Sequence, residues 1–163
     1  MAIIALGTFP VYPGEGYLLN LENGHAFTIL IADRNPNVRE FLKREMIAEG
    51  YHVRLAKNGR EVLRWIYHHE PLDLVILDLD LPDATDASLL EKLNDRIPTL
   101  PVVVHTFSTE YSTSVDASLP VAYVEKEGNS IEDLKKVVAD MLLKAQPQRF
   151  RHRSIHEGKP VLS

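Results

Sequence analysis

Four polar side chains close four apolar runs in this sequence, and their types in that order suggest a chemistry. Asp33 follows Phe-Thr-Ile-Leu-Ile-Ala, and Asp78 follows Leu74–Leu77, with Asp80 two places on and Pro82 four places on. Thr106 closes the run that starts at Pro101, with His105 before it, and Lys126 follows Val121–Val124 and Glu125. Two acids, a hydroxyl and an ammonium suit phosphoryl chemistry if they meet. A carboxylate can accept a phosphoryl group, a hard cation held by oxygens can neutralise it, and an ammonium can pair with the phosphate.

Whether they meet depends on the elements that carry them. Continuous apolar runs rich in branched side chains, such as Phe27–Ala32 and Leu74–Leu77, are the pattern of strands buried on both faces, hence of a parallel sheet. Tyr51–Ala56, Pro101–Val104 and Val121–Val124 read as three further strands. Helices fall between them. Asn35 caps one with Pro36 at its first position, Val38, Phe41, Leu42, Met46 and Ile47 form its apolar stripe, and Gly50 suits its end. Asn58-Gly59 turns into a second helix carrying Val62, Leu63, Ile66 and Tyr67. A third carries Leu89, Leu90 and Leu93 to about Arg96, before Pro98 and Pro101. Ser130, with Asp133 three places on, resembles a capping box for a last helix with Leu134, Val137, Val138, Met141 and Leu142 inward. Residues 108–119 are rich in Ser and Thr, so a helix there would be short and marginal. The βα alternation implies an α/β fold with a parallel sheet covered on both faces. In such a sheet the carboxyl ends of the strands lie on one edge, where open α/β folds place their chemistry.

Composition bounds the function. The 163 residues are one domain plus some extra, with a net charge of −5 that does not favour binding to nucleic acid. The absence of cysteine excludes disulfides and thiolate chemistry and is compatible with a reducing cytoplasm. No apolar run approaches membrane-spanning length, and Ala2–Leu6 is too short for a signal sequence. Residues 1–26 read as an N-terminal extension punctuated by Pro10, Pro13 and the Asn23-Gly24 turn, residues 27–145 as the domain, and residues 146–163 as a basic, solvated tail.

The motifs Ile-Leu-Ile-Ala-Asp33, Asp-Leu-Val-Ile-Leu-Asp78 with Pro82, Pro-Val-Val-Val-His-Thr106 and Tyr123-Val-Glu-Lys126 resemble, in order and approximate spacing, the receiver domain of two-component response regulators. The resemblance runs from about Phe27 to Leu143, and single-domain regulators of the chemotaxis type are the nearest analogy. It implies a flavodoxin-like, doubly wound five-stranded parallel sheet of order 2-1-3-4-5. It also implies that Asp78 is the phosphoacceptor, that Asp33, Asp78 and the Asp80 carbonyl are ligands of Mg²⁺, that Thr106 and Tyr123 are the switch pair, and that Lys126 pairs with the phosphate. The implied partners are a sensor histidine kinase or phosphotransfer protein and a downstream protein, with no nucleic acid and no membrane, for a cytoplasmic monomer or homodimer that is not an enzyme.

Three positions depart from the family pattern. Arg34 stands where a second acid is usual, Phe107 where a small residue follows the switch hydroxyl, and Glu127 where proline follows the lysine. A guanidinium cannot ligate a cation, so Mg²⁺ binding should be weak. Two other readings compete with the phosphoacceptor. One is a degenerate receiver that acts as a phosphorylation-independent interaction module. The other is a haloacid-dehalogenase-type phosphatase, whose nucleophile motif resembles Asp78-Leu-Asp80.

Overall fold

The computed structural model describes residues 26–68, 70–83, 86–107, 120–147 and 149. Among the described residues the strands are β1 (Thr28–Ala32), β2 (His52–Ala56), β3 (Leu74–Leu77), β4 (Val102–Thr106) and β5 (Val121–Glu125), and the helices are α1 (Pro36–Ala48), α2 (Gly59–Ile66), α3 (Asp86–Asn94) and α4 (Ser130–Ala145). All four strand pairings are parallel, in the order β2-β1-β3-β4-β5. The hairpin expected near Asn23-Gly24 and the marginal helix expected over 108–119 lie outside the described residues.

Every residue of β1, β3 and β4 is buried, which explains why these runs lack the polar alternation of half-exposed strands. Successive side chains feed two cores. Leu30, Val75, Leu77, Val102 and Val104 pack with Val62 and Ile66 of α2 and Leu89 and Leu93 of α3. Ile29, Ile31, Leu74, Ile76 and Val103 pack with Leu42 and Met46 of α1 and Leu134, Val138 and Leu142 of α4. The edge strand β2 is only half-buried. Its Arg54 lies over the Trp65 ring and pairs with Glu70 at 2.7 Å, and the Trp65 indole N–H donates to the Leu55 carbonyl at 3.1 Å.

Local signals set the loops at the carboxyl edge. The Asn35 side chain accepts the N–H groups of Asn37 and Val38 and so fixes the start of α1. Asn58 accepts the Glu61 N–H and does the same for α2. At the last helix the sequence expectation needs correction. Gly128 stands at φ +57°, Asn129 occupies the cap without a side-chain hydrogen bond, and Ser130 is already helical. Ser130 and Asp133 therefore form no capping box.

At the opposite edge, Asp73 accepts the Thr28 N–H, the Gln146 amide and the Arg149 guanidinium, all within 2.9 Å. Arg149 also lies 3.7 Å over the Phe27 ring. The first residues of the segment read as a solvated tail are thus fastened to the sheet.

Candidate functional site

The parallel register carries the strand-end residues to one place. Ala32 pairs with Leu77, so Asp33 and Asp78 leave adjacent strands side by side. Both are buried, at 2% and 3% exposure, although carboxylates are rarely enclosed unless paired. Lys126 supplies the pairing: its ammonium lies 2.6 Å from Asp33 Oδ2 and 3.2 Å from Asp78 Oδ2, with only 7% of the side chain exposed. The remaining oxygens are also occupied. Asp33 Oδ1 accepts the Asn35 N–H at 2.8 Å, and Asp78 Oδ1 accepts the Asp80 N–H at 3.1 Å. Burial raises the Asp33 carboxyl above its usual range, against the opposing pull of its hydrogen bonds from Lys126 and Asn35.

The other sequence-predicted residues lie on β4, β5 and the loops that follow the strands. Thr106 is buried at the end of β4, and its carbonyl accepts the Lys126 N–H at 2.8 Å. Strand alternation puts Thr106 on the sheet face of Val104. Tyr123, paired with Val104 across the β4–β5 ladder, packs against that same core. The switch pair therefore shares one face, while Asp33, Asp78 and Lys126 follow the alternation of the other. Phe107 is 65% exposed, and its ring centroid lies 5.3 Å from the Lys126 ammonium. Asp80 and Glu127 are exposed, and the Lys126–Glu127 peptide is not cis. Arg34 is exposed, and among the described residues its side chain makes no hydrogen bond or ion pair.

Three residues of the site were not singled out in the sequence. Arg39 donates through Nη1 to the carbonyls of Asp33 (2.7 Å) and Arg34 (3.2 Å), pinning the β1–α1 loop. Asp83, at φ +59°, accepts the Gly59 N–H at 2.8 Å and ties the loop after Asp78 to the start of α2. Aspartate tolerates this left-handed backbone better than most residues. His105 is 5% exposed and lies on the Asp78 side of β4, and among the described residues neither ring nitrogen has a hydrogen-bond partner. Burial, with the nearby Lys126 charge, pushes its pKa down to about 4, against a smaller opposing effect of Asp78. The signal for His105 was present in the sequence: two residues after Val103 in a fully buried strand, it had to share that inward face.

A strongly held magnesium does not fit these donors. The donors are two carboxylates and the Asp80 carbonyl, every carboxylate oxygen already faces an N–H or ammonium, and a guanidinium follows Asp33. Among the described residues no three His, Cys, Asp or Glu side chains are grouped to hold a metal ion.

A doubly wound parallel sheet with an acid–lysine cluster at its carboxyl edge defines a flavodoxin-like class of protein. Residues 29–139 match the model of the response regulator receiver domain, and the chain belongs to that family. The DNA-binding transcriptional regulator NtrC of Rhizobium meliloti is 34% identical over 96 residues, 59% of this chain and 20% of NtrC, so the chain spans about a fifth of that relative. The response regulator TrrA of Thermotoga maritima, solved with Mg²⁺-BeF, is 29% identical with a TM-score of 0.63, covering 71% of this chain and 98% of TrrA. TrrA solved with the histidine kinase ThkA is 31% identical with a TM-score of 0.60 over the same shares. Receiver domains are signalling modules, and no described helix is long and apolar enough to cross a membrane.

Proposed function

We propose that this chain is a phosphoacceptor receiver: Asp78 takes a phosphoryl group from the phosphohistidine of a sensor kinase or phosphotransfer protein. The observation that carries this reading is the Lys126 ammonium, 3.2 Å from Asp78 Oδ2 and 2.6 Å from Asp33 Oδ2, with all three side chains buried. In the transfer, an Asp78 oxygen forms the O–P bond while the P–N bond to the donor imidazole breaks, and the imidazole keeps the bonding pair. Lys126 stays near the oxygens that carry the developing charge. Thr106 and Tyr123 respond on their shared sheet face, and a downstream protein reads the change. In this reading residues 27–145 form the receiver, Mg²⁺ is held weakly, and the chain works in the cytoplasm as a signalling partner without an enzymatic substrate of its own. The ThkA–TrrA complex supports the class of donor.

One observation favours the alternative of a phosphorylation-independent interaction module. The exposed Arg34 leaves the metal position one acid short. The full chain incubated with acetyl phosphate and Mg²⁺, then weighed intact, separates the two readings. The phosphoacceptor gains one phosphoryl group that the Asp78→Ala variant does not. A chain that gains none fits only the interaction module, and an equal gain in both proteins makes another residue the acceptor and overturns the Asp78 assignment.

A further inference from the structure

The misfit between this pocket and a bound metal raises the question of what neutralises a phosphoryl group on Asp78. At rest the enclosed charges are Asp33, Asp78 and Lys126, two negative and one positive. A phosphoryl group brings a charge of about −1.5 to −2 in place of the Asp78 carboxylate, so the imbalance grows. In a buried site each uncompensated charge interacts far more strongly than in water.

Lys126 alone cannot follow the added charge far. Its ammonium is held by two carboxylates, 2.6 and 3.2 Å away, with the Phe107 ring centroid at 5.3 Å. Arg39 is committed, since its Nη1 bonds the Asp33 and Arg34 carbonyls. Arg34 differs from both. Its backbone is anchored by Arg39, and its side chain is exposed without a partner among the described residues. Asp33 and Asp78 sit on neighbouring strands and Arg34 is the next residue, which puts its Cα within about 9 Å of the Asp78 Cα. An extended arginine covers that distance. Its planar, permanently charged fork also matches the geometry of phosphate oxygens.

We propose that Arg34 is the second phosphate-binding cation of this pocket: with Lys126 it takes the place of the divalent metal, so that Asp78 is phosphorylated in the absence of Mg²⁺. With acetyl phosphate as donor, an Asp78 oxygen forms the new O–P bond, the P–O bond to acetate breaks, and acetate leaves with the bonding pair. No proton moves. Arg34 and Lys126 share the charge that spreads over the three equatorial oxygens. The inference rests on the phosphoacceptor reading and adds to it the source of the compensating charge.

The test is the rate at which the full chain gains phosphoryl mass from acetyl phosphate, in EDTA and in excess Mg²⁺. It compares wild type with Arg34→Ala, Arg34→Asp and Asp78→Ala. Arg34 is exposed and unpaired among the described residues, so its replacement should leave the fold intact. Wild type should react in EDTA within a few-fold of its rate with Mg²⁺. In EDTA, Arg34→Ala should be at least about tenfold slower, the scale of losing one transition-state donor. Arg34→Asp should fall at least as far and recover when Mg²⁺ is added. Wild type that reacts only with Mg²⁺, or Arg34→Ala that matches wild type in EDTA, overturns the role of Arg34 and leaves the acceptor reading standing. Wild type with no Asp78-dependent mass gain in either condition overturns both.

Discussion

Replacing Lys126 by methionine would keep most of the stem and remove the charge that two enclosed carboxylates share. With Asp33 2% exposed and Asp78 3% exposed, water cannot take over from the ammonium, and their oxygens lie 2.6 and 3.2 Å from it. Removing one partner from a buried ion pair costs about 3–5 kcal/mol, and here one cation serves two acids. With urea m-values of about 1–3 kcal/mol/M, the loss should move the unfolding midpoint down by about 2 M. It should also depend on pH in a definite direction. Burial already raises Asp33 above the unfolded value of 3.8, with Lys126 pulling it back. Without Lys126 it rises further, and the native state then binds a proton more tightly than the unfolded chain. Stability of the variant therefore falls as pH rises through that folded pKa, so its deficit against wild type should be greatest near neutrality and shrink in acid. Urea titrations followed by Trp65, the one tryptophan in the chain, measure this at several pH values. A deficit below about 1 kcal/mol at neutral pH, or one that does not change with pH, would refute the picture of an enclosed pair neutralised by one ammonium.

Other predictions follow from the same neighbourhood. Arg34→Asp should bind Mg²⁺ more tightly than wild type, because it adds an acid and removes a repelling charge; an NMR titration showing tighter binding by wild type would contradict this. Phe107→Ala should take up phosphoryl groups from small donors faster, since the exposed ring lies 5.3 Å from the Lys126 ammonium, while stability changes by no more than about 1 kcal/mol. Equal uptake rates in the two proteins would argue against a gating ring. His105→Leu should stabilise the fold by about 1–3 kcal/mol, because two buried nitrogens without partners among the described residues are removed, as thermal or urea unfolding will show. It should also flatten the acid side of the stability profile. His105 at about 4 against 6.5 unfolded costs the wild type up to about 3 kcal/mol as pH falls between those values.

The sheet was legible because its three inner strands are apolar on both faces, a pattern few other arrangements need. Phe27–Ala32 and Leu74–Leu77 therefore fell at the centre as their composition required. The meeting of Asp33, Asp78 and Lys126 followed from parallel strands ending on one edge, although the last two are far apart in sequence. The start of α4 was misread by one residue because a capping pattern says nothing of the left-handed turn at Gly128 that precedes it. Arg39 escaped notice because an arginine on an exposed helical turn reads as a solvated charge, and its bonds to two loop carbonyls depend on loop geometry. Where the Arg34 side chain goes was open for the same reason: its flanking residues allow it to point inward or outward, and the structure turns it to solvent.

The central claim is that Asp78, and no other acid of this edge, accepts the phosphoryl group. Borohydride converts a phosphorylated aspartate to homoserine and leaves a free carboxylate unchanged. Peptide sequencing by mass after acetyl phosphate and borohydride treatment therefore reads the acceptor directly. The account predicts homoserine at position 78, with Asp33, Asp80 and Asp83 intact. Homoserine at any of those three, or at none of the four, would contradict it.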